Sequence, residues 1–153
     1  GTAGAAPGRR PVEVPRTVPR GGAVVRVVPG PQREEFPDSA LDRLRQGRFT
    51  VTTHADRMGY RLDGSAVPRR DREMLSDATF TGGIQVPASG QPIVLMADRQ
   101  TTGGYPQIAT VITADLPIVA QLAPGDWIAF EVCTRREALR ALMAQEGALL
   151  ALR

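Results

Sequence analysis

Residues 94–117 read "VLMADRQTTGGYPQIATVITADLP", two aliphatic and β-branched runs separated by the polar insert "DRQTTGGYP" at 98–106. The flanking runs are short and rich in Val, Ile and Thr, so they read as strands rather than helices. The insert carries a charge pair, an amide, two hydroxyls, two glycines and a tyrosine. Its local chemistry leaves two readings open: a polar hairpin with a Gly-Gly turn, or a ligand cradle. Gly103 and Gly104 permit positive φ and a close approach of backbone to a ligand. Thr101 and Thr102 offer hydroxyls, and the planar fork of Arg99 suits a carboxylate or phosphate. Without a Walker lysine the segment is not a P-loop.

Working outward, the same short-strand grammar recurs. "AVVRVVPGPQ" from Ala23 is a β-branched strand stopped at Pro29-Gly30-Pro31. "FPDSALDRLRQG" predicts a short helix with Asp38 or Ser39 as N-cap, Leu41 and Leu44 on one face, and Gly47 at its end. "RFTVTT" alternates as a strand does, and residues 58–62 of "ADRMGYRLDG" form a strand or bulge closed by Asp63-Gly64. "AVPRRDREMLSDATFTGG" is a polar excursion. "IQVP" and "QPIVLMA" are strands joined by the turn Ala88-Ser89-Gly90, and "IATVI" is another. Asp115 is expected to cap a short helix over "LPIVAQL", lying across a barrel end or sheet face. "PGD" turns into the strand "WIAFEV". Thr134 and Glu137 form a capping box before a last helix whose apolar face is Leu139, Leu142 and Met143. Many short strands with a few short helices, and no regular βαβ alternation, point to a mainly β fold, a barrel or a mixed β-rich architecture.

Composition narrows the classes. A chain of 153 residues has room for one domain with a real core, and 42% hydrophobic with 23% charged residues argues against global disorder. Residues 1–22, rich in Gly, Ala, Pro and Arg, read as a disordered linker or tail, leaving 23–153 as the domain. The abrupt start suggests a piece of a longer polypeptide. The net charge of +3 comes from arginine alone, since the chain has no lysine. No basic stripe is interleaved with stacking aromatics, so no nucleic-acid partner is expected. No run approaches about twenty apolar residues, so no membrane span is expected. The lone Cys133 allows neither a disulfide framework nor a thiolate metal site, and a reducing cytoplasm fits best. The lone His54 excludes multi-histidine zinc chemistry within the chain, and no metal is expected.

Two further clusters carry chemistry. "DRMGYR" repeats the Asp-Arg pair at Asp56-Arg57 and adds Gly59, Tyr60 and Arg61, so two such pairs near strand ends could line one pocket, although exposed ion pairs contribute little to stability. In "GGIQVP", Ile84 and Val86 point to one face of a strand and Gln85 to the other, toward a pocket or solvent. His54 has no obvious orienting partner and reads as a structural or surface histidine, and Cys133 as a small hydrophobe.

"VPGPQ", "DRMGYRL", "GGIQVP" and "GQPIVLMADRQTTGGYPQIATVITADLPIVAQLAPGD" together resemble the allophanate hydrolase subunit 2 family, also called biotin-dependent carboxyltransferase domain proteins. Members of that family are longer chains that look like two cyclophilin-like β-barrel halves, and these motifs belong to the C-terminal half. The resemblance therefore implies a mainly β, cyclophilin-like β-barrel with a few short helices. It also implies a component of an ATP-dependent 5-oxoprolinase-type amidohydrolase, which opens the lactam of 5-oxoproline to glutamate. Partners resembling the B component of 5-oxoprolinase (allophanate hydrolase subunit 1) and its A component would supply ATP through the complex. Two alternatives follow from the same family: a urea carboxylase-like carboxyltransferase with biotin on another chain, and a non-catalytic regulatory module. Carried onto this chain, the resemblance implies Asp98, Arg99 and Tyr105 as catalytic residues, with Arg57, Gln85, Gln100, Thr102 and Gly104 binding the substrate.

Overall fold

The computed structural model describes residues 21–151, so the linker reading of 1–22 lies almost wholly outside the described residues. β1 (Gly22–Pro29) leads through a 3-10 turn at Arg33–Glu35 to α1 (Ser39–Gln46) and β2 (Arg48–Val51). β3 (Gly59–Asp63), β4 (Asp77–Ala78), β5 (Gly83–Gln85), β6 (Ile93–Leu95), β7 (Thr102–Gly103) and β8 (Gln107–Val111) follow. A 3-10 turn at Thr113–Asp115, α2 (Leu116–Ala120), β9 (Trp127–Val132) and α3 (Arg135–Ala151) complete the order.

Seven strands close into a barrel in the order β1-β8-β5-β6-β3-β2-β9, while β4 and β7 form a separate two-stranded ribbon. Neighbours pair antiparallel except β1 and β9, whose parallel register from Gly22↔Trp127 to Val27↔Val132 shuts the ring. Closure removes the unpaired edges that an open sheet would expose. The expected mainly β, cyclophilin-like barrel is therefore what the chain forms.

Period-2 alternation fills the interior. Val25 and Val27 of β1, Phe49 and Val51 of β2, Tyr60 and Leu62 of β3, Ile84 of β5, Val94 of β6, and Ile128 and Phe130 of β9 all point inward and are buried. The Phe49 and Phe130 rings meet at 5.9 Å between centroids in a tilted pair. Each such side chain contributes about 1.5–3 kcal/mol by leaving water. Ala40 and Leu44 from α1 and Ile118 and Val119 from α2 join the same core. The turn at Ala88-Ser89-Gly90 forms as expected, with Gly90 at φ 82°, a conformation that glycine tolerates without strain. The capping box also forms: Thr134 N–H donates to Glu137 Oε1 (2.8 Å) and Glu137 N–H to Thr134 Oγ1 (3.0 Å).

One of two open readings is closed and two local expectations are corrected. The segment 98–106 is not a hairpin turn, because β6 and β8 do not pair; β5 lies between them, bonded to both. The connection must therefore pass over the outer face of β5. Asp115 precedes α2 but does not cap it through its side chain. Its carboxylate instead accepts the backbone N–H of Arg26 (2.8 Å) and two guanidinium bonds from the same residue (3.0 and 2.7 Å). In α3, Leu139 and Met143 face outward, while Ala148 is buried and Gln145 donates to Ala114 O at 2.9 Å. Of the three residues expected on the apolar face only Leu142 is half-buried, on the side of Ala138, Ala141 and Ala148.

Candidate functional site

A cleft of about 500 Å³ lies on the outside of the β3–β6–β5 wall, within the size range of small-molecule sites. Successive side chains of a strand alternate between faces. Arg61 therefore projects outward between inward Tyr60 and Leu62, Ile93 and Leu95 flank inward Val94, and Gln85 follows inward Ile84. Register sets Arg61 opposite Ile93, and Ile93 opposite Gln85. Arg61 and Gln85 are thus two strand spacings apart, roughly 10 Å. The floor is apolar in its middle and polar at both margins.

One wall is the polar connection itself, contributing Arg99, Gln100, Thr102, Gly103, Gly104 and Tyr105; the facing wall is His54, Asp56 and Met58. The connection is held by its neighbours. Arg99 Nη1 donates to Thr81 Oγ1 at 2.8 Å and Nη2 to Thr79 O at 3.4 Å. Thr79 returns its own N–H to Thr101 O at 3.0 Å, and its hydroxyl to Gln100 O. The ribbon of β4 and β7 is pinned to the barrel by two buried glutamines. Gln32 Nε2 reaches Asp77 Oδ2 (3.1 Å), Gln107 Nε2 reaches Ala78 O (3.0 Å), and Gln107 N–H donates to Gln32 Oε1 (2.7 Å). The facing wall is shaped by Asp56, whose Oδ1 accepts the N–H groups of Met58 (2.8 Å) and Gly59 (3.2 Å), as an Asx turn does.

Gln85 stands out on the floor. It is 7% exposed and lines the cleft, and no group among the described residues hydrogen-bonds its carboxamide. The fully buried unpaired side-chain atoms among the described residues are Arg99 Nε and Gln107 Oε1, so the free carboxamide of Gln85 opens to the cleft, where a ligand or a water can meet it. Gly103 explains how the wall comes so close: a Cβ there would sit 2.7 Å from Gln85 Nε2. The glycine is needed for that approach and not for positive φ, which neither Gly103 nor Gly104 adopts. Charge in the cleft comes from Arg61 and Arg99 against Asp56, a balance that favours an anion.

The sequence matches the model of the family described as carboxyltransferase domain, subdomain A and B, over residues 2–132. The chain belongs to the carboxyltransferase domain family. It is 44% identical over 126 residues to the C subunit of 5-oxoprolinase from Escherichia coli, covering 82% of this chain and 41% of that protein. To the Haemophilus influenzae protein of the same name it is 44% identical over 118 residues, covering 76% of this chain and 38% of the relative. The chain thus spans about two fifths of the length of either relative. Kluyveromyces lactis urea carboxylase shares the fold with a TM-score of 0.76 at 22% identity, over 82% of this chain and 12% of that one.

Within this carboxyltransferase domain, six of the expected site residues line the cleft: Arg99, Tyr105, Gln85, Gln100, Thr102 and Gly104. Asp98 and Arg57 are not among its lining residues. They pair with each other at 2.9 Å, with side chains 54% and 83% exposed, and Asp98 N–H donates to Arg57 O at 2.9 Å. These bonds strap together the two segments that carry the walls. Arg61 and His54 line the cleft without having been expected there. Arg61 was legible by the alternation that singled out Gln85, since it stands between two apolar residues of a strand. Cys133 lies elsewhere, half-buried at the end of β9, and burial pushes its thiol above the usual range, as suits a packed rather than a reactive cysteine.

Proposed function

We propose that this carboxyltransferase domain is the substrate-holding part of a 5-oxoprolinase-type amidohydrolase, which opens the lactam of 5-oxoproline to glutamate at the expense of ATP. The observation that carries the reading is the unpartnered carboxamide of Gln85 beside an apolar floor. A lactam is locked cis, so its N–H and C=O lie side by side. A carboxamide presents the complementary acceptor and donor, and two parallel hydrogen bonds result. The ring methylenes rest on Ile93 and Leu95. ATP held by a partner would activate the carbonyl oxygen as a phosphoryl acceptor and end as ADP and phosphate. As water adds to the carbonyl carbon, the negative charge on that oxygen is stabilised by the guanidinium of Arg99, already oriented by Thr79 and Thr81. The C–N bond then breaks, and the nitrogen leaves as the amine of glutamate. Tyr105, Gln100 and Thr102 complete the polar wall. The name shared by the two relatives supports this reading.

ATP belongs to partner proteins resembling the B and A components of 5-oxoprolinase, in the cytoplasm; a chain with no lysine has no Walker group of its own. The shared fold with a urea carboxylase favours a second reading, carboxyl transfer to urea, in which biotin arrives on another chain because no lysine here can carry it. The reconstituted assembly decides between them. ATP-dependent release of glutamate from 5-oxoproline supports the first, labelled bicarbonate entering urea the second. Tight partner binding with neither activity would mark a regulatory module.

Two variants test the role of Gln85 directly. Gln85→Leu keeps volume but loses both hydrogen bonds, so kcat/KM for 5-oxoproline should fall about 10- to 100-fold. Gly103→Ala places a methyl against the far end of the same amide. Thermal stability should stay within about 0.5 kcal/mol of wild type while kcat/KM falls with that of Gln85→Leu. Gly147→Ala, on α3 and outside the cleft, whose Cβ would meet nothing within 4 Å, serves as the kinetic control. Unchanged kinetics in both Gln85→Leu and Gly103→Ala would remove the amide from the mechanism.

A further inference from the structure

We propose that Arg61 is the specificity-determining residue of the cleft, reading the carboxylate of a small anionic amide and rejecting its uncharged analogue. The inference rests on the lactam reading of the site but concerns a residue that reading does not use.

Three observations converge on Arg61. First, it is a cleft-lining cation with no assigned work: among the described residues its guanidinium makes neither a hydrogen bond nor an ion pair. Arg99, by contrast, is anchored to Thr81 and Thr79 and is already assigned to the carbonyl oxygen, and Arg57 is joined to Asp98 outside the cleft. The one acidic residue of the lining, Asp56, is committed through Oδ1 to the turn that forms its own wall. Second, its place is fixed. Arg61 sits in a barrel strand whose flanking residues, Tyr60 and Leu62, are buried in the core, so its Cα cannot drift as a loop arginine would. Third, the register Arg61–Ile93–Gln85 lays cation, apolar patch and amide in one row across three strands. A ligand with its amide on Gln85 and its ring over Ile93 carries its carboxylate on the carbon next to the lactam nitrogen, at the flank of the ring, within the span of the long Arg61 side chain. The roughly 10 Å between the two backbones suits a small ring bridged by two side chains. A planar carboxylate there takes two parallel bonds from the fork, in a position that water reaches and where a neutral substituent gains nothing comparable.

The test compares 5-oxoproline with 2-pyrrolidinone, the same lactam without its carboxylate, by calorimetric titration of the intact assembly. Wild type is expected to bind 5-oxoproline more tightly by roughly 10- to 100-fold. Arg61→Gln should abolish that preference by weakening 5-oxoproline alone, leaving 2-pyrrolidinone affinity within about two-fold, and Arg61→Lys should restore part of it. Gln85→Leu should weaken both compounds together, which separates the amide contact from the charge contact. A preference for 5-oxoproline that survives in correctly folded Arg61→Gln overturns the assignment while leaving the lactam reading intact. Failure of both compounds to bind wild type overturns the lactam reading and Arg61's role with it.

Discussion

Arg99→Ala, introduced into the intact assembly, is expected to lower ATP-dependent release of glutamate from 5-oxoproline by about 100- to 1,000-fold, the range seen when one preorganised donor to a developing oxyanion is removed. Preorganisation is what the geometry supplies. The Thr81 hydroxyl and the Thr79 carbonyl each accept from one terminal nitrogen of the guanidinium, so the group is fixed at the cleft wall before substrate arrives. Arg99→Lys should recover little, because a single ammonium has no planar fork to bridge Thr79 and Thr81 while facing the ligand. The loss should appear in kcat more than in KM, since the charge it meets develops only as the carbonyl is attacked. Circular dichroism and thermal unfolding must accompany the kinetics, because the same two bonds pin the connection to residues 79–81. A folded Arg99→Ala assembly with wild-type turnover would exclude Arg99 from the chemistry.

The barrel was legible because alternation is a local property of the chain. Val25 and Val27, Phe49 and Val51, or Ile128 and Phe130 announce an inward face without any knowledge of which strand lies beside which. Pairing is not local, and there the hairpin reading of 98–106 failed. Two strands joined by a polar loop suggest a hairpin, yet β5, from earlier in the chain, is inserted between β6 and β8. That insertion drives the connection across the outer face of β5 and brings Gly103 against Gln85. The cradle reading therefore rests on a placement that no sequence window contains. The same limit explains the other errors. Asp115 looks like a cap because its helix is next to it, whereas its partner Arg26 is 89 positions away. Leu139 and Met143 look like a packing face because they are apolar, whereas the side of α3 turned to the barrel carries Ala141, Leu142 and the buried Ala148. Arg61 was passed over among the charges of "DRMGYR", although its position between two inward residues carried the same signal as that of Gln85.

Asp115→Asn is expected to destabilise the fold by about 3 kcal/mol, the scale of breaking a buried charge pair from one side, which lowers the melting temperature by about 6–12 °C in a domain of this size. The carboxylate is fully buried, and it accepts three bonds from one residue: the backbone N–H, Nε and Nη2 of Arg26. These bonds keep the guanidinium protonated more firmly than usual, chiefly through hydrogen bonding to Asp115. An amide of equal size can accept from some of these donors, but it leaves the Arg26 cation without a counter-charge at a site only 29% exposed. The damage should spread beyond the pair. Arg26 lies in β1, which closes the barrel against β9, and the neighbouring Ala114 carbonyl receives the Gln145 side chain that docks α3. Hydrogen exchange should therefore accelerate in α3 and along β1 before it does in β3 or β6. Asp42→Asn, which breaks the exposed pair with Arg45, should cost less than about 1 kcal/mol and is the natural control. Replacing both members of the buried pair, as Arg26→Met with Asp115→Leu, should recover most of the loss, because the penalty lies in the stranded charge rather than in the absence of attraction. If Asp115→Asn melted within about 1 kcal/mol of wild type, Arg26 would have to reach solvent or another acceptor on losing its partner, and the lock between β1 and the turn before α2 would be set by packing alone.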